Sequence, residues 1–326
     1  MPVPLMAGEV LRDRYEIERI IGQGGMGSIY LANDLRLKGR QCALKEVEHE
    51  RSLSPEMLEE ARKQFFQEAT VLARLDHPNL PKVSDFFSIE ARDYLVMDFV
   101  PGKDLRTLMI ESRQKDQFLE ETQVLNWASQ LADALAFLHN QEPPILHRDI
   151  KPSNLKVTPT GLVKLVDFGL VKVLAPGEMT ITILQGQGTA LYTPIEQYGG
   201  DGAHTDIRSD IFSFGATLYH LLTNHPPADA RERFLDPGAL IPPRQINPEV
   251  SSQTERAILW AMNIHPDDRP NTIQEVQRVL FGDRPTIPRS ITRPPSFWRS
   301  AKREPEKVLW AVAASLTIIS LVITIF

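Results

Sequence analysis

The hydrophobic period of this chain changes partway along its length, and that change constrains the fold more than any bulk property. Over residues 15 to about 49, apolar and polar residues alternate around a glycine cluster at 22–27, a pattern that reads as hairpin-connected strands. Between 55 and 75, Met57, Phe65, Ala69 and Leu72 recur at helical spacing, and His77-Pro78-Asn79 breaks the pattern. Strand-like sequence then runs to Tyr94-Leu95-Val96-Met97, and a Pro-Gly turn signal follows within 98–102. From 105 to about 281 helical patterns such as VLNWASQLADALAFLH and SDIFSFGATLYHLL dominate. Strands followed by helices predict an α+β fold. Its parts are a small sheet-rich lobe at 15–97, a connection at 98–102 and a larger, mostly helical lobe at 103–281.

A second feature lies at the other end. Residues 308–326 carry no charge, and a helix of about 19 residues at about 1.5 Å each spans close to 30 Å, enough to cross a bilayer. A buried core helix is the alternative, but it would carry a polar stripe, whereas Ser315, Thr317, Ser320 and Thr324 are scattered among Leu, Ile, Val and Ala. Residues 282–307 are rich in proline and arginine and read as a solvated linker. Arg289, Arg293, Arg299, Lys302, Arg303 and Lys307 put a cationic excess on that side of the apolar stretch, which predicts a single-pass protein with its N-terminal domain in the cytosol. With the chain ending at Phe326, no folded external sensor is expected. Residues 1–14 read as an extension without the apolar segment of a secretory signal. Cys42, the single cysteine, makes neither an internal disulfide nor a multi-thiolate metal site, which suits a reducing compartment. A formal net charge of -6 over 326 residues argues against nucleic acid as a partner.

Several residues carry chemistry. Ile21-Gly22-Gln23-Gly24-Gly25-Met26-Gly27-Ser28-Ile29 lets the backbone turn sharply and approach phosphate oxygens; alone, it is also what a glycine-rich hairpin looks like. Lys45 ends the apolar run Cys42-Ala43-Leu44, where an ammonium meets phosphate or a carboxylate, and Glu68 on the following predicted helix offers that carboxylate. Downstream come His147-Arg148-Asp149-Ile150-Lys151-Pro152-Ser153-Asn154 and Asp167-Phe168-Gly169.

In this order and spacing the motifs resemble the protein-kinase family, over about 15–281. The resemblance implies the two-lobed kinase fold with ATP and Mg2+ as cofactors. The glycine loop, Ile21, Gly22, Gly24 and Gly27, would cover the phosphates, and Lys45, paired with Glu68, would hold them. Asp149 would be the catalytic base, with Lys151 and Asn154 beside it, and Asn154 and Asp167 would hold the metal. Asp98 and Val100 would meet adenine through their backbone, Ile29, Ala43 and Met97 would enclose it, and Asp104 would reach the ribose. Ile29, Ala43 and Met97 would be buried in any case.

Lys151 and Gly188-Thr189 resemble serine/threonine kinases, and Tyr192-Thr193-Pro194-Ile195-Glu196-Gln197 resembles the bacterial, eukaryotic-like (Hanks-type) branch. Asp210 and Gly215 match the central helix of the large lobe, and Arg269 the arginine that pairs with Glu196. Two departures stand out: Pro194-Ile195-Glu196 in place of Ala-Pro-Glu, and Lys156 where kinases place an apolar residue under adenine. The resemblance implies protein substrates, self-association for autophosphorylation, and a switch in which Arg148, helped by Lys172, binds a phosphate on Thr180 or Thr182, with Thr189 kept for the catalytic loop. The alternative is a membrane-tethered pseudokinase scaffold acting by partner binding.

Overall fold

A computed structural model of the chain describes residues 4–24, 27–48, 54–90, 92–167, 172–173, 190–198 and 205–282. The chain divides into a unit Met1–Arg284 and a second, Pro285–Phe326, and the second lies outside the described residues. So do the apolar stretch at 308–326 and residues 283–307 of the linker before it; no helix among the described residues is long and apolar enough to cross a membrane.

The small lobe is a six-stranded antiparallel sheet in the order β1-β2-β3-β4-β6-β5. Its strands are β1 (Val10–Leu11), β2 (Tyr15–Gly24), β3 (Gly27–Asp34), β4 (Gln41–Glu48), β5 (Val83–Ile89) and β6 (Arg92–Asp98). β1 pairs Val10 with Glu16 and Leu11 with Tyr15, so the sheet begins before residue 15 and takes in the end of the expected extension. Leu11 is apolar enough to join the core.

Alternation sorts the strands into two faces. Tyr30, Ala32, Cys42, Leu44, Tyr94 and Val96 pack with Leu11, Tyr15, Ile17 and Phe87 into one core. The residues between them, Ile29, Leu31, Ala43, Lys45, Leu95 and Met97, occupy the other face by register: Ile29 lies opposite Lys45, Leu31 opposite Ala43, Ala43 opposite Met97 and Lys45 opposite Leu95. Glu46 falls on the core side and is satisfied there by Tyr30 Oη at 2.9 Å and Arg92 Nη1 at 2.8 Å.

Helix α1 (Pro55–Arg74) starts where Ser54 Oγ accepts from Met57 N at 3.2 Å with proline at the first helical position. Phe65, Ala69 and Leu72 form its buried stripe. The large lobe holds α2 (Leu105–Arg113), α3 (Glu121–His139), α4 (Ile207–Thr223), α5 (Ala230–Leu235), α6 (Pro243–Ile246), α7 (Ser252–Ala261) and α8 (Ile273–Phe281). Most of α4 is buried; Asp206 caps its start and Asn224, at φ 57°, ends it in the left-handed conformation. Short strands interrupt the helices: β7 (Lys103–Asp104), β9 (Leu155–Val157) and β10 (Val163–Leu165) form one sheet, and β8 (Ile145–Leu146) pairs with β11 (Lys172–Val173). The connection between lobes crosses β9 closely at Gly102, where φ is 109° and a Cβ would stand 2.0 Å from Val157 O.

Candidate active site

The site collects residues from both lobes. Lys45 projects from the sheet face opposite the core, and its ammonium meets the Asp167 carboxylate in an ion pair that sequence reasoning did not place. Burial works to raise the Asp167 pKa, but Lys45, with His147 and Lys151 near it, carries it below the usual carboxylate value. Glu68, on α1, is buried and accepts from Gln64 Nε2 at 3.2 Å.

Asp149 follows β8 in a loop. Lys151 Nζ lies 2.9 Å from the Asp149 carboxylate. Asn154 Nδ2 donates to Asp149 Oδ2 at 2.9 Å and to Asp149 O at 2.8 Å. With its nitrogen committed and its amide oxygen accepting only a long bond from Ser153 Oγ at 3.4 Å among the described residues, Asn154 keeps a lone pair on that oxygen for a ligand. That oxygen and the Asp167 carboxylate are the hard donors Mg2+ prefers, so the residues fit the metal the family uses. Arg148 (φ 63°) and Asp167 (φ 58°) both hold left-handed backbone without being glycine, a strain of the kind that clusters at functional sites.

The large lobe fixes this loop through one carboxylate. Asp210, on α4 and fully buried, accepts from the backbone N–H of His147 at 2.9 Å and of Arg148 at 2.8 Å, and pairs with His139 Nε2 at 3.0 Å. Burial opposes its charge, yet the His139 hydrogen bond leads the interactions that hold its pKa low. A second fixed point lies further on: Arg269 binds Glu196 through both nitrogens, at 2.6 and 2.9 Å, and Ser209 Oγ adds a bond to Glu196 at 2.7 Å. The expected pairing of these two is therefore present.

The glycine segment lies at the tip of the β2–β3 hairpin. Gly22 pairs with Ile29 and Gly24 with Gly27, while Ile21 sits at a register irregularity between Ile20 and Gly22. At Gly27 φ is 138° and a Cβ would meet Glu46 O at 2.2 Å, so only glycine fits there. Gly25 and Met26 lie outside the described residues.

Ala43, Met97 and Val100 are buried and Ile29 partly so, on the cleft side of the sheet or in the connection. Asp98 ends β6, its carboxylate 3.3 Å from Arg40 Nη2. Asp104 is also a helix cap, accepting from Thr107 N at 2.8 Å and Thr107 Oγ1 at 3.0 Å. Phe168, Gly169, Thr180, Thr182, Gly188 and Thr189 lie outside the described residues, and of Lys172 the backbone pairing with Leu146 is described. Sequence reasoning missed that Asp210 holds the loop carrying Asp149 by its backbone; its apolar surroundings in SDIFSFG were the available signal.

The protein kinase domain family matches residues 15–281. A probable serine/threonine-protein kinase of Clostridium acetobutylicum is 34% identical over 83% of this chain and 40% of its own. The serine/threonine-protein kinase PknB of Mycobacterium leprae is 32% identical over 86% of this chain and 45% of its own. The chain thus spans less than half the length of these relatives. Among solved structures, the apo form of PpkA superposes with a TM-score of 0.66 at 28% identity, covering 85% of this chain and 99% of that one. The PknI kinase domain of Mycobacterium tuberculosis does so at 0.62 and 27%, covering 85% and 98%.

Proposed function

Because the chain belongs to the protein kinase family, of the bacterial Hanks type, we propose that it transfers the γ-phosphoryl group of ATP to serine or threonine hydroxyls of proteins, tethered to a membrane by residues 308–326 with its catalytic domain on the cytosolic side. The observation that carries the enzymatic part is the convergence of Lys45, of Asp149 and Asn154, and of Asp167 from three separate segments. A scaffold that had lost catalysis would have no need to keep all four.

The geometry supports a role for each of these residues. Asp149 accepts or orients the proton of the attacking hydroxyl while Lys151, 2.9 Å away, supplies positive charge beside the transferring group. Lys45 holds the α and β phosphates, and the glycine hairpin covers them with backbone N–H groups. Asn154 Oδ1 and Asp167 would hold Mg2+, which when bound neutralises charge on the phosphoryl oxygens. Asp210 keeps the Asp149 loop in position through the backbone.

The regulatory part rests on Arg148. It is half-buried, and its Nε and Nη2 have no hydrogen-bond partner among the described residues. Burial lowers its pKa, opposed by the charges of Asp210 and Glu68. A phosphate on Thr180 or Thr182 would supply charge-assisted bonds to those nitrogens and order the segment, so autophosphorylation raises activity. The membrane part rests on the uncharged stretch and the cations before it.

The test is incubation of the purified chain with Mg2+, labelled ATP and a generic basic protein. Label transfer that vanishes in Lys45→Met is expected; equal label with both would refute the assignment. Mass spectrometry of the same sample reads Thr180 and Thr182, and the double alanine variant should lose the activation. Deletion of 308–326 should release the protein from the membrane fraction.

A further inference from the structure

The residue that departs most from an apolar adenine floor is Lys156. It sits in the middle of β9, opposite Asp104 of β7 on one side and Lys164 of β10 on the other. Leu155 beside it is 1% exposed and belongs to the lobe's core, so alternation turns Lys156 the other way, toward the connection between the lobes. Its ammonium lies over the face of Phe99, 5.7 Å from the ring centroid, and Phe99 stands between Asp98 and Val100 in that connection. Lys156 is therefore two residues from Asn154 at one end and under the connecting segment at the other.

Two facts make this a costly place for a cation. Lys156 and Lys164 face each other directly across an antiparallel pair, where like charges destabilise. Lys164 resolves its own position by donating to Leu80 O at 2.9 Å, whereas Lys156 has no ion pair or hydrogen bond among the described residues. An aromatic face is a weak substitute for a carboxylate, so all three N–H donors remain available for a ligand.

We propose that Lys156 is a specificity-determining residue for the nucleotide, donating to the ribose 2′-hydroxyl while Asp104 accepts from that sugar. Asp104 Oδ1 and Oδ2 each hold one bond from Thr107 and each keeps capacity for another. A vicinal diol placed between that acceptor and the Lys156 donor satisfies both. A 2′-deoxy sugar leaves the ammonium buried under the nucleotide with no acceptor, the situation that gives polar sites their discrimination. The inference rests on the kinase reading above.

The experiment is calorimetric titration of the purified full-length chain with Mg2+-ADP and Mg2+-2′-deoxyADP, alongside phosphoryl transfer from ATP by the same preparation. The wild type should bind ADP about tenfold more tightly, ~1.4 kcal/mol. Lys156→Met should reduce that preference to less than about twofold, and Lys156→Arg should keep most of it. A wild type indifferent to the 2′-hydroxyl, or a Lys156→Met variant with undiminished preference, overturns the proposal; if transfer from ATP persists, the kinase reading survives. Absence of both ADP binding and transfer removes the kinase reading and this proposal with it.

Discussion

Arg269 is a buried arginine of the large lobe and Arg148 a half-buried one whose Nε and Nη2 are shielded from solvent, and they are satisfied to opposite degrees. Arg269 uses every N–H it has: Nε to Asn263 O, Nη1 to Glu196 and Arg208 O, Nη2 to Glu196 and Ile264 O. Arg148 leaves Nε and Nη2 without a partner among the described residues. A guanidinium carries five donors in a fixed fork, so the first site is closed and the second is open. The same contrast separates Asp210, whose oxygens are taken by two backbone N–H groups and His139, from Asp167, whose contact is a lysine on the other lobe. Closed charges hold the scaffold; under the proposed function the open ones are those left for phosphate, metal or substrate.

The sharpest break of that contrast is at the open end. Asp149→Asn should lower phosphoryl transfer by about 10²- to 10⁴-fold, with a thermal midpoint little changed because the amide can still accept from Asn154. A variant that keeps substantial activity would remove Asp149 from the role of base. At the closed end, Arg269→Met leaves Glu196 buried against Ser209 alone and should cost about 3–5 kcal/mol in urea unfolding. Replacing Glu196 by Leu in the same chain should recover part of that loss.

His220 offers a titratable version of the closed site. It bonds Tyr192 Oη through Nδ1 at 2.6 Å. Burial, with Arg106, His225 and Arg113 adding to it, lowers its pKa from 6.5 to about 4. Above pH 6.5 neither folded nor unfolded chain holds this proton. As pH falls from 6.5 toward 4 the unfolded chain takes it up first, so stability declines across that window and the loss is constant below it. The loss is up to roughly 3 kcal/mol, and His220→Gln should flatten that part of the pH–stability curve. The smallest effect belongs to Arg148→Met: with no bond to Nε or Nη2 to lose, stability should stay within about 1 kcal/mol of wild type. A loss as large as that of Arg269→Met would mean that Arg148 is closed too.

Period and punctuation were enough to read the two lobes, because a sheet face and a helix stripe are written in local spacing. The α1 helix expected between 55 and 75 is Pro55–Arg74. The Glu196–Arg269 pair was legible only through resemblance, since nothing local relates residues this far apart. Asp104 shows the opposite limit: an acid followed three positions later by threonine is also a helix-start signal, and the carboxylate turned out to cap α2. The Lys45–Asp167 contact was beyond reading, because it depends on how one lobe meets a loop of the other. The start of the sheet at Val10 was missed because a two-residue strand has no period to detect.

The ladder between β3, β4 and β6 also sets where the chemistry can be. Leu44 is fully buried on one face and Lys45 stands on the other, locked by Ile29 opposite it in β3 and Leu95 in β6. Sliding β4 by one residue against its neighbours would drive the ammonium into the apolar core and turn Leu44 toward the cleft. The Lys45 ammonium, to which the proposed function gives the phosphates, is thus addressed by parity: which face it reaches depends on whether an even or odd number of residues separates it from the turn at 35–40. A two-residue insertion within β4 ahead of Lys45 preserves which way it points while shifting its height in the cleft, whereas a single-residue insertion inverts it.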